Sequence, residues 1–532
     1  MAPEQLRAAI AGHLSALGVP STGALKLERP RNPEHGDWSV NVFPLAKGSG
    51  RAAPDLAAGL AERVNSDPPP HVLTAEVIGG FVNLRLATTW LYDVLRAVIA
   101  KGTAGYARPL LGHGERVNVE FVSANPTGPL HAGHGRWAAF GDSVARLLGR
   151  CGYSPHTEFY VNDRGAQLER FGLSLAARAE AAEPPVDGYH GAYVTEWASE
   201  MPPDADPTEW GRAKALEFQR ATLAAMGVVF DTWTSERELV ASGAMEATLA
   251  DLRARGAVYH SDGATWLRTS EHGDDKDRVL IRSDGEPTYF LPDIAYHRDK
   301  LGRADHLIDI LGSDHHGYLN RMRAAVEILG HDRNDLETII GQNVVLLRDG
   351  VEVKLSKRAG DIIELMVDVL DEVGPDATRF TYLQQSIDTK LLFDLDVVVQ
   401  RTMDNPVFYV QMAHARLAGI ARNATAKGVD RRPLAEVDLG VLVHQRELDI
   451  LTLLNDLPDV VAEAARRRAP NKVVTWVRDL AGAVHGFHHD CWVVADDVAP
   501  ELTQARLWLV EAARIGMAIA LDLVGVTAPD HL

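Results

Sequence analysis

The chain has 532 residues, 46% hydrophobic and 24% charged, a composition that excludes a disordered chain and gives length for about three domains. No apolar stretch approaches a membrane span, the opening MAPEQLRAAIAGHLSALG lacks the basic start and long apolar core of a secretory signal, and Cys151 and Cys491 are too few and too distant for a disulfide framework or a metal site. With 54 Lys+Arg against 73 Asp+Glu the formal charge is −19, which argues against general affinity for a phosphate backbone and leaves Lys26, Arg29, Arg31, Lys47, Arg51, Arg466, Arg467, Arg468 and Lys472 as local basic patches. Both cysteines are read as packing residues, and a reducing cytoplasm fits best.

In chain order, residues 1 to 108 read as an α/β unit, with helical patterns over Pro3 to Leu17 and Ala53 to Asn65 and a strand-like run from Ala75 to Leu86. Val117 to Ser123 predicts a buried strand, followed by a Pro/Gly turn and a helix through Trp137 to Leu148, so His131 and His134 fall at the turn between them. Residues 178 to 214, rich in Pro, Glu and Asp, read as a surface insertion. His306 to Leu311 is an apolar run followed by Asp314, His315 and His316, and Gln342 to Leu347 is another. Asp349-Gly350 then signals a hairpin, placing Lys354 and Lys357 on a loop beyond it. Strand and helix signals alternate from 109 to 385, as in a doubly wound parallel sheet of Rossmann-like type, and long helical patterns dominate from 386 to 532, as in an all-helical bundle. The fold class is therefore multidomain α/β.

Histidines at i and i+3 on the first turn of a helix share a face beside unsatisfied backbone N–H groups that favour anions, and Gly133 between them lets a flat group approach. Taken alone, such a pair caps a helix as readily as it binds phosphate. Two lysines on a loop clamp an anion or are simply solvated. HAGH after one strand and KLSKR after a later one, in that order, are much harder to obtain by chance.

Together they resemble the HIGH and KMSKS signatures of class I aminoacyl-tRNA synthetases. The stretches VEFVSANPTGPLHAGHGR, FYVNDRGAQLERFG, VDGYHGAYV, YFLPDIAYHRDK, LGSDHHGYLNRM, KLSKRAGD and DNPVFYVQMAHAR narrow the resemblance to arginyl-tRNA synthetases, nearly end to end. Leu355 and Arg358 stand where that family's loop has methionine and serine, Pro292 precedes Asp293, and the tail ends APDHL.

What the resemblance implies is arginine–tRNA ligase activity: ATP, L-arginine and tRNA(Arg) give arginyl-tRNA, AMP and pyrophosphate, with tRNA needed for activation. His131, His134, Lys354 and Lys357 would be catalytic, and Gly133, Asp314, His315 and Ser356 would join them around ATP, whose phosphates carry Mg2+. Glu120, Ser123 and Asn125 would hold the amino and carboxylate groups of arginine. A guanidinium is planar, always charged and best held by carboxylates beside aromatic faces; Tyr289, Asp293 and Glu236 are the matching positions. The 1–108 unit would touch the tRNA elbow, and Tyr409, Gln411, His414 and Arg416 of the helical region would meet anticodon bases. A monomer without DNA or membrane partners and without a protein metal site is expected. Two alternatives stay open: another adenylating enzyme on this fold, and a catalytically silent tRNA-binding relative.

Overall fold

A computed structural model describes residues 3–19, 25–30, 32–312, 318–353 and 364–532. The N-terminal unit is an antiparallel sheet in the order β1-β2-β4-β3, formed by β1 (Leu27–Glu28), β2 (Trp38–Asn41), β3 (Val72–Ile78) and β4 (Phe81–Leu86), with helices Pro3–Ala16 and Ala53–Ser66 packed on it. The run read as one strand from Ala75 to Leu86 is thus a hairpin. Gly79 and Gly80 both have positive φ, which reverses the chain where β-branched residues could not.

The centre is a five-stranded parallel sheet in the order β12-β11-β5-β6-β7, made of β5 (Arg116–Glu120), β6 (Ser154–Val161), β7 (Thr232–Ser235), β11 (His306–Gly312) and β12 (Leu336–Gly341). The chain winds outward from β5 through β6 to β7 and then returns to β5's other side as β11 and β12. That reversal makes the cleft between the C-terminal ends of β5 and β11 the switch point where such sheets bind ligands. A small antiparallel sheet of β8 (Val258–Ser261), β9 (Ala264–Leu267) and β10 (Arg278–Ile281) leads into helix Phe290–Arg303. Strands β13 (Val344–Arg348), β14 (Val351–Glu352) and β15 (Leu391–Asp394) form the stem of the Asp349-Gly350 hairpin and its parallel neighbour.

Residues 178–214, read as a surface insertion, carry helices Ala192–Glu200 and most of the first half of Pro207–Ala225. Tyr193, Val194 and Trp197 pack there with Leu168, Phe171 and Leu175 in a separate apolar cluster. The C-terminal part is helical, with long helices Pro406–Ala426, Gln445–Arg466, Asn471–Asp490 and Pro500–Leu523 around a shared core.

Polar groups lock these parts together. Arg29, in one basic patch, stacks 4.2 Å over Trp38 and pairs with Asp456 at 3.0 Å, and Arg468, in the other, pairs with Glu337 at 3.0 Å. These cations are taken up between structural units; Arg31 lies outside the described residues. Arg379 is fully buried and donates to Val524 O and Met226 O, both at 3.1 Å, and to the Asp142 carboxylate. Its loss leaves two buried carbonyls unpaired and Asp142 with Arg146 as its remaining cation at 2.8 Å, so Arg379→Met should cost about 3 kcal/mol in urea unfolding, and Asp142→Leu added to it should restore part of that. A double variant no more stable than the single one would contradict this account.

Candidate active site

Strand β5 stops at Glu120, short of the expected end at Ser123, because Val122 (φ 69°) and Ser123 (φ 43°) are left-handed. Non-glycine residues hold that conformation only where surrounding contacts fix it, and such strain clusters at functional sites. Here it folds the chain back so that the Ser123 hydroxyl donates to Glu120 Oε1 at 2.9 Å while accepting from Tyr160 N at 3.2 Å. Asn125 follows, its amide donating to Gln167, and Gln219 reaches Asn125 O at 3.0 Å and Gly128 O at 2.9 Å. The Tyr193 hydroxyl donates to Thr127 O at 3.0 Å. The helices after β6 therefore brace the turn that leads into HAGH.

His131 is the N-cap residue of helix Ala132–Arg150, and His134 occupies its third position. The two imidazoles stack with centroids 3.6 Å apart, and the His131 backbone N–H donates to His134 Nδ1 at 3.2 Å. With Nδ1 accepting, a neutral His134 ring carries its proton on Nε2, which makes that atom a donor beside a helix N-terminus. A Cβ on Gly133 would lie 2.9 Å from His131 Cε1, so glycine here makes room for the neighbouring ring.

Lys354, Ser356 and Lys357, with Asp314 and His315, lie outside the described residues. The segment that follows them, from Glu364, is described and meets HAGH directly. Glu364 forms an antiparallel bridge with His131, and Leu365 N donates to Leu130 O at 2.8 Å. Fully buried Arg136 donates to Gln342 O and Ser386 O, both at 2.8 Å, tying the HAGH helix to the segments around β13 and β15; burial pushes its guanidinium down to about 10. The Glu364 carboxyl is pushed up to about 7, chiefly by burial and then by Asp368 and Glu196.

Across the cleft, Asp293 sits in the first turn of helix Phe290–Arg303. Burial pushes it up to about 6, against a hydrogen bond from Tyr318 and the pull of His297, with Glu236 and Glu120 adding repulsion. Glu236 is buried at the start of helix Glu236–Ala241 and is itself pushed up by burial, with Arg164 3.8 Å away and the Tyr160 hydroxyl bonded to it. Three carboxylates thus converge at the switch point. Tyr289 is 82% exposed at the rim.

Sequence reading missed Tyr160, Tyr318, Arg136, Asp309, His297 and Lys300. Asp293, His297 and Lys300 recur at i, i+4 and i+7 on one helix, a polar stripe on a buried face that periodicity carries.

In the helical part, Tyr409 lines an open cleft of about 580 Å³ with Asp404, Thr475, Arg478 and Asp479. Gln411 and His414 are buried instead and hold the C-terminal tail: Gln411 Nε2 reaches Asp376 at 2.7 Å and Thr527 O at 3.1 Å, and His414 Nδ1 reaches Pro529 O at 2.9 Å. Arg416 donates to His485 Nδ1 at 2.7 Å. Of the four positions expected to face bases, Tyr409 is the one that lines this cleft.

The family models for the arginyl-tRNA synthetase N-terminal domain, the class I (R) catalytic domain and the DALR anticodon-binding domain match residues 4–86, 95–188 with 212–417, and 410–532. An arginine–tRNA ligase of Frankia alni is 45% identical over 97% of this chain and 95% of its own length. The chain belongs to the arginyl-tRNA synthetase family. Another relative, the Kineococcus radiotolerans arginine–tRNA ligase, is 41% identical over all of both chains. The Thermus thermophilus arginyl-tRNA synthetase structure shares the fold, with TM-score 0.76 over all of both chains at 23% identity. So does a Mycobacterium tuberculosis methionyl-tRNA synthetase in complex with methionyl-adenylate, with TM-score 0.57 over 77% of this chain and 91% of that one at 14% identity. In this arginyl-tRNA synthetase family member, the class I core is the parallel sheet and the DALR match begins within helix Pro406–Ala426.

Proposed function

We propose that the chain is an arginine–tRNA ligase that activates L-arginine with ATP and transfers it to tRNA(Arg). The observation that carries this reading is the convergence of Glu120, Glu236 and Asp293 beside the HAGH helix at the switch point. A carboxylate-rich pocket matches a substrate with a guanidinium and an α-ammonium, and partial burial makes each contact stronger than it would be in water. Asp293 and Glu236 take the guanidinium, with Tyr289 closing over it from the rim; Glu120, Ser123 and Asn125 hold the amino-acid end.

Activation is attack of the arginine carboxylate on the α-phosphorus of ATP, with pyrophosphate leaving in line, followed by attack of a terminal ribose hydroxyl of tRNA on the adenylate carbonyl, with AMP leaving. The protein's task is positioning and stabilisation of charge on phosphate oxygens. His134 Nε2–H and the helix N-terminus serve the phosphates from one side, with His131 and Gly133 completing that turn. Lys354, Ser356 and Lys357, which precede the His131–Glu364 bridge in sequence, serve them as well, and Asp314 and His315, which come just after β11 in sequence, join them around ATP. Mg2+ accompanies the ATP phosphates. The N-terminal unit, residues 1–108, meets the tRNA elbow, and the helical part from 386 meets the anticodon through the Tyr409 cleft and Arg416. No described helix is long and apolar enough to cross a membrane, and we place the enzyme in the cytoplasm as a monomer.

Charging of total tRNA with each of the twenty amino acids tests the reading: arginine alone should be transferred, and transfer of another amino acid in its place would overturn it. ATP–pyrophosphate exchange should need added tRNA. Brisk exchange without tRNA would remove that requirement and leave the ligase assignment standing.

A further inference from the structure

Between the amino-acid pocket and the middle of the sheet lies a buried charge cluster that the steps above do not use. Lys300, on helix Phe290–Arg303, is fully buried, and its Nζ stands 2.7 Å from Glu120 Oε2 and 2.6 Å from Asp309 Oδ1. The Tyr296 ring lies 4.6 Å from the same nitrogen. Asp309 Oδ2 is 2.8 Å from His297 Nε2, and His297 Nδ1 is 2.8 Å from the backbone oxygen of Asp293. Burial alone would lower the Lys300 pKa, but Asp309 and then Glu120 reverse that and hold it well above the ordinary lysine value. The Glu120 carboxylate is consequently gripped on both oxygens, by Lys300 on Oε2 and by the Ser123 hydroxyl on Oε1.

Stability gives little reason for such a cluster, since apolar residues of similar volume usually serve as well as a buried ion pair. A recognition site does give a reason, because a carboxylate that must meet a small cation in one geometry gains from having its rotamer fixed beforehand. Resting on the arginine-ligase reading above, we propose that Lys300 is a positioning residue for amino-acid recognition, orienting the Glu120 carboxylate to receive the α-ammonium of the substrate. Lys300 touches no substrate atom. It acts on one end of the amino acid, because the guanidinium end is held by Asp293 and Glu236.

Titration calorimetry on the full chain with two ligands tests this: L-arginine, and 5-guanidinopentanoate, which is arginine without its α-amino group. In the wild-type chain the ratio of the two dissociation constants reports what the ammonium contributes. In Lys300→Gln that ratio should fall at least about tenfold, the loss of one charge-assisted contact, through weaker arginine binding with 5-guanidinopentanoate nearly unchanged. Asp309→Asn disturbs the same cluster but keeps the Lys300–Glu120 contact, and its ratio should stay within about threefold of wild type. Should Lys300→Gln fail to fold, Lys300→Arg decides: it keeps the buried charge, but its planar fork cannot place one nitrogen between both carboxylates, so the ratio should still fall. An unchanged ratio in a folded Lys300 variant, or an equal collapse in Asp309→Asn, would overturn the inference. A wild-type chain that binds no arginine would overturn the ligase reading along with it, whereas wild-type arginine binding with unaltered ratios would overturn the inference alone.

Discussion

Asp293→Asn should lower kcat/KM for arginine by about a thousandfold and shift the KM for ATP by less than about threefold. The substitution keeps the shape of the side chain and removes its charge, so the guanidinium loses a partly buried ionic partner, a change that costs about 2–5 kcal/mol in comparable pairs. In the proposed site ATP meets the HAGH side of the cleft and Asp293 meets arginine, so the two constants should separate. The same residue sets a pH dependence. Its carboxyl is pushed up to about 6, mainly by burial, and the ionised form is the one that attracts the guanidinium. Arginine affinity should therefore be level above about pH 7 and weaken progressively as the pH falls through 6, because a proton now competes with the substrate for the site. Glu236, also pushed up by burial, acts in the same direction. Affinity measured from pH 5 to 8 checks this, and Asp293→Asn should flatten most of the acid limb. A wild-type profile that is level to pH 5, or an equal loss of arginine and ATP use in the variant, would mean that Asp293 does not hold the guanidinium.

His134→Ala should slow adenylate formation by about a hundredfold or more and leave arginine binding unchanged. Its Nδ1 accepts from the His131 backbone N–H, so a neutral ring carries its proton on Nε2, the atom proposed above to serve the phosphate oxygens. Removing one such donor typically costs about 100–1,000-fold in rate. Single-turnover formation of the adenylate in the presence of tRNA, with arginine binding measured separately by calorimetry, distinguishes a rate effect from a binding effect. Equal losses in both would show that His134 supports the pocket's structure.

The positions of the strands and the HAGH helix were legible because they rest on local signals: an apolar run, a Pro/Gly turn, a helical period. The strand end at Glu120 was not, since nothing in Val122 or Ser123 announces a left-handed backbone; the contacts of Ser123 with Glu120 and Tyr160 impose it. The hairpin at Gly79-Gly80 was passed over although a glycine pair is itself a turn signal, because apolar residues flank it on both sides. Asp293 and Glu236 were singled out through the resemblance, not through their own chemistry, as a lone carboxylate at a helix start also serves as a cap. The carboxylate cluster itself is a long-range fact: Lys300 meets Glu120 across 180 positions of sequence. Gln411 and His414 illustrate the reverse failure, since their polarity suggested exposed base contacts while the C-terminal tail, remote in sequence, claims them.

Arg379 reaches Asp142 in the HAGH helix, Met226 behind the sheet and Val524 in the tail at once. During synthesis, residue 524 leaves the ribosome long after the signature helix has been made. A nascent chain therefore cannot complete the Arg379 contacts until residue 524 has been made, far beyond the end of the HAGH helix at Arg150, so the fully braced helix must wait for that distant segment.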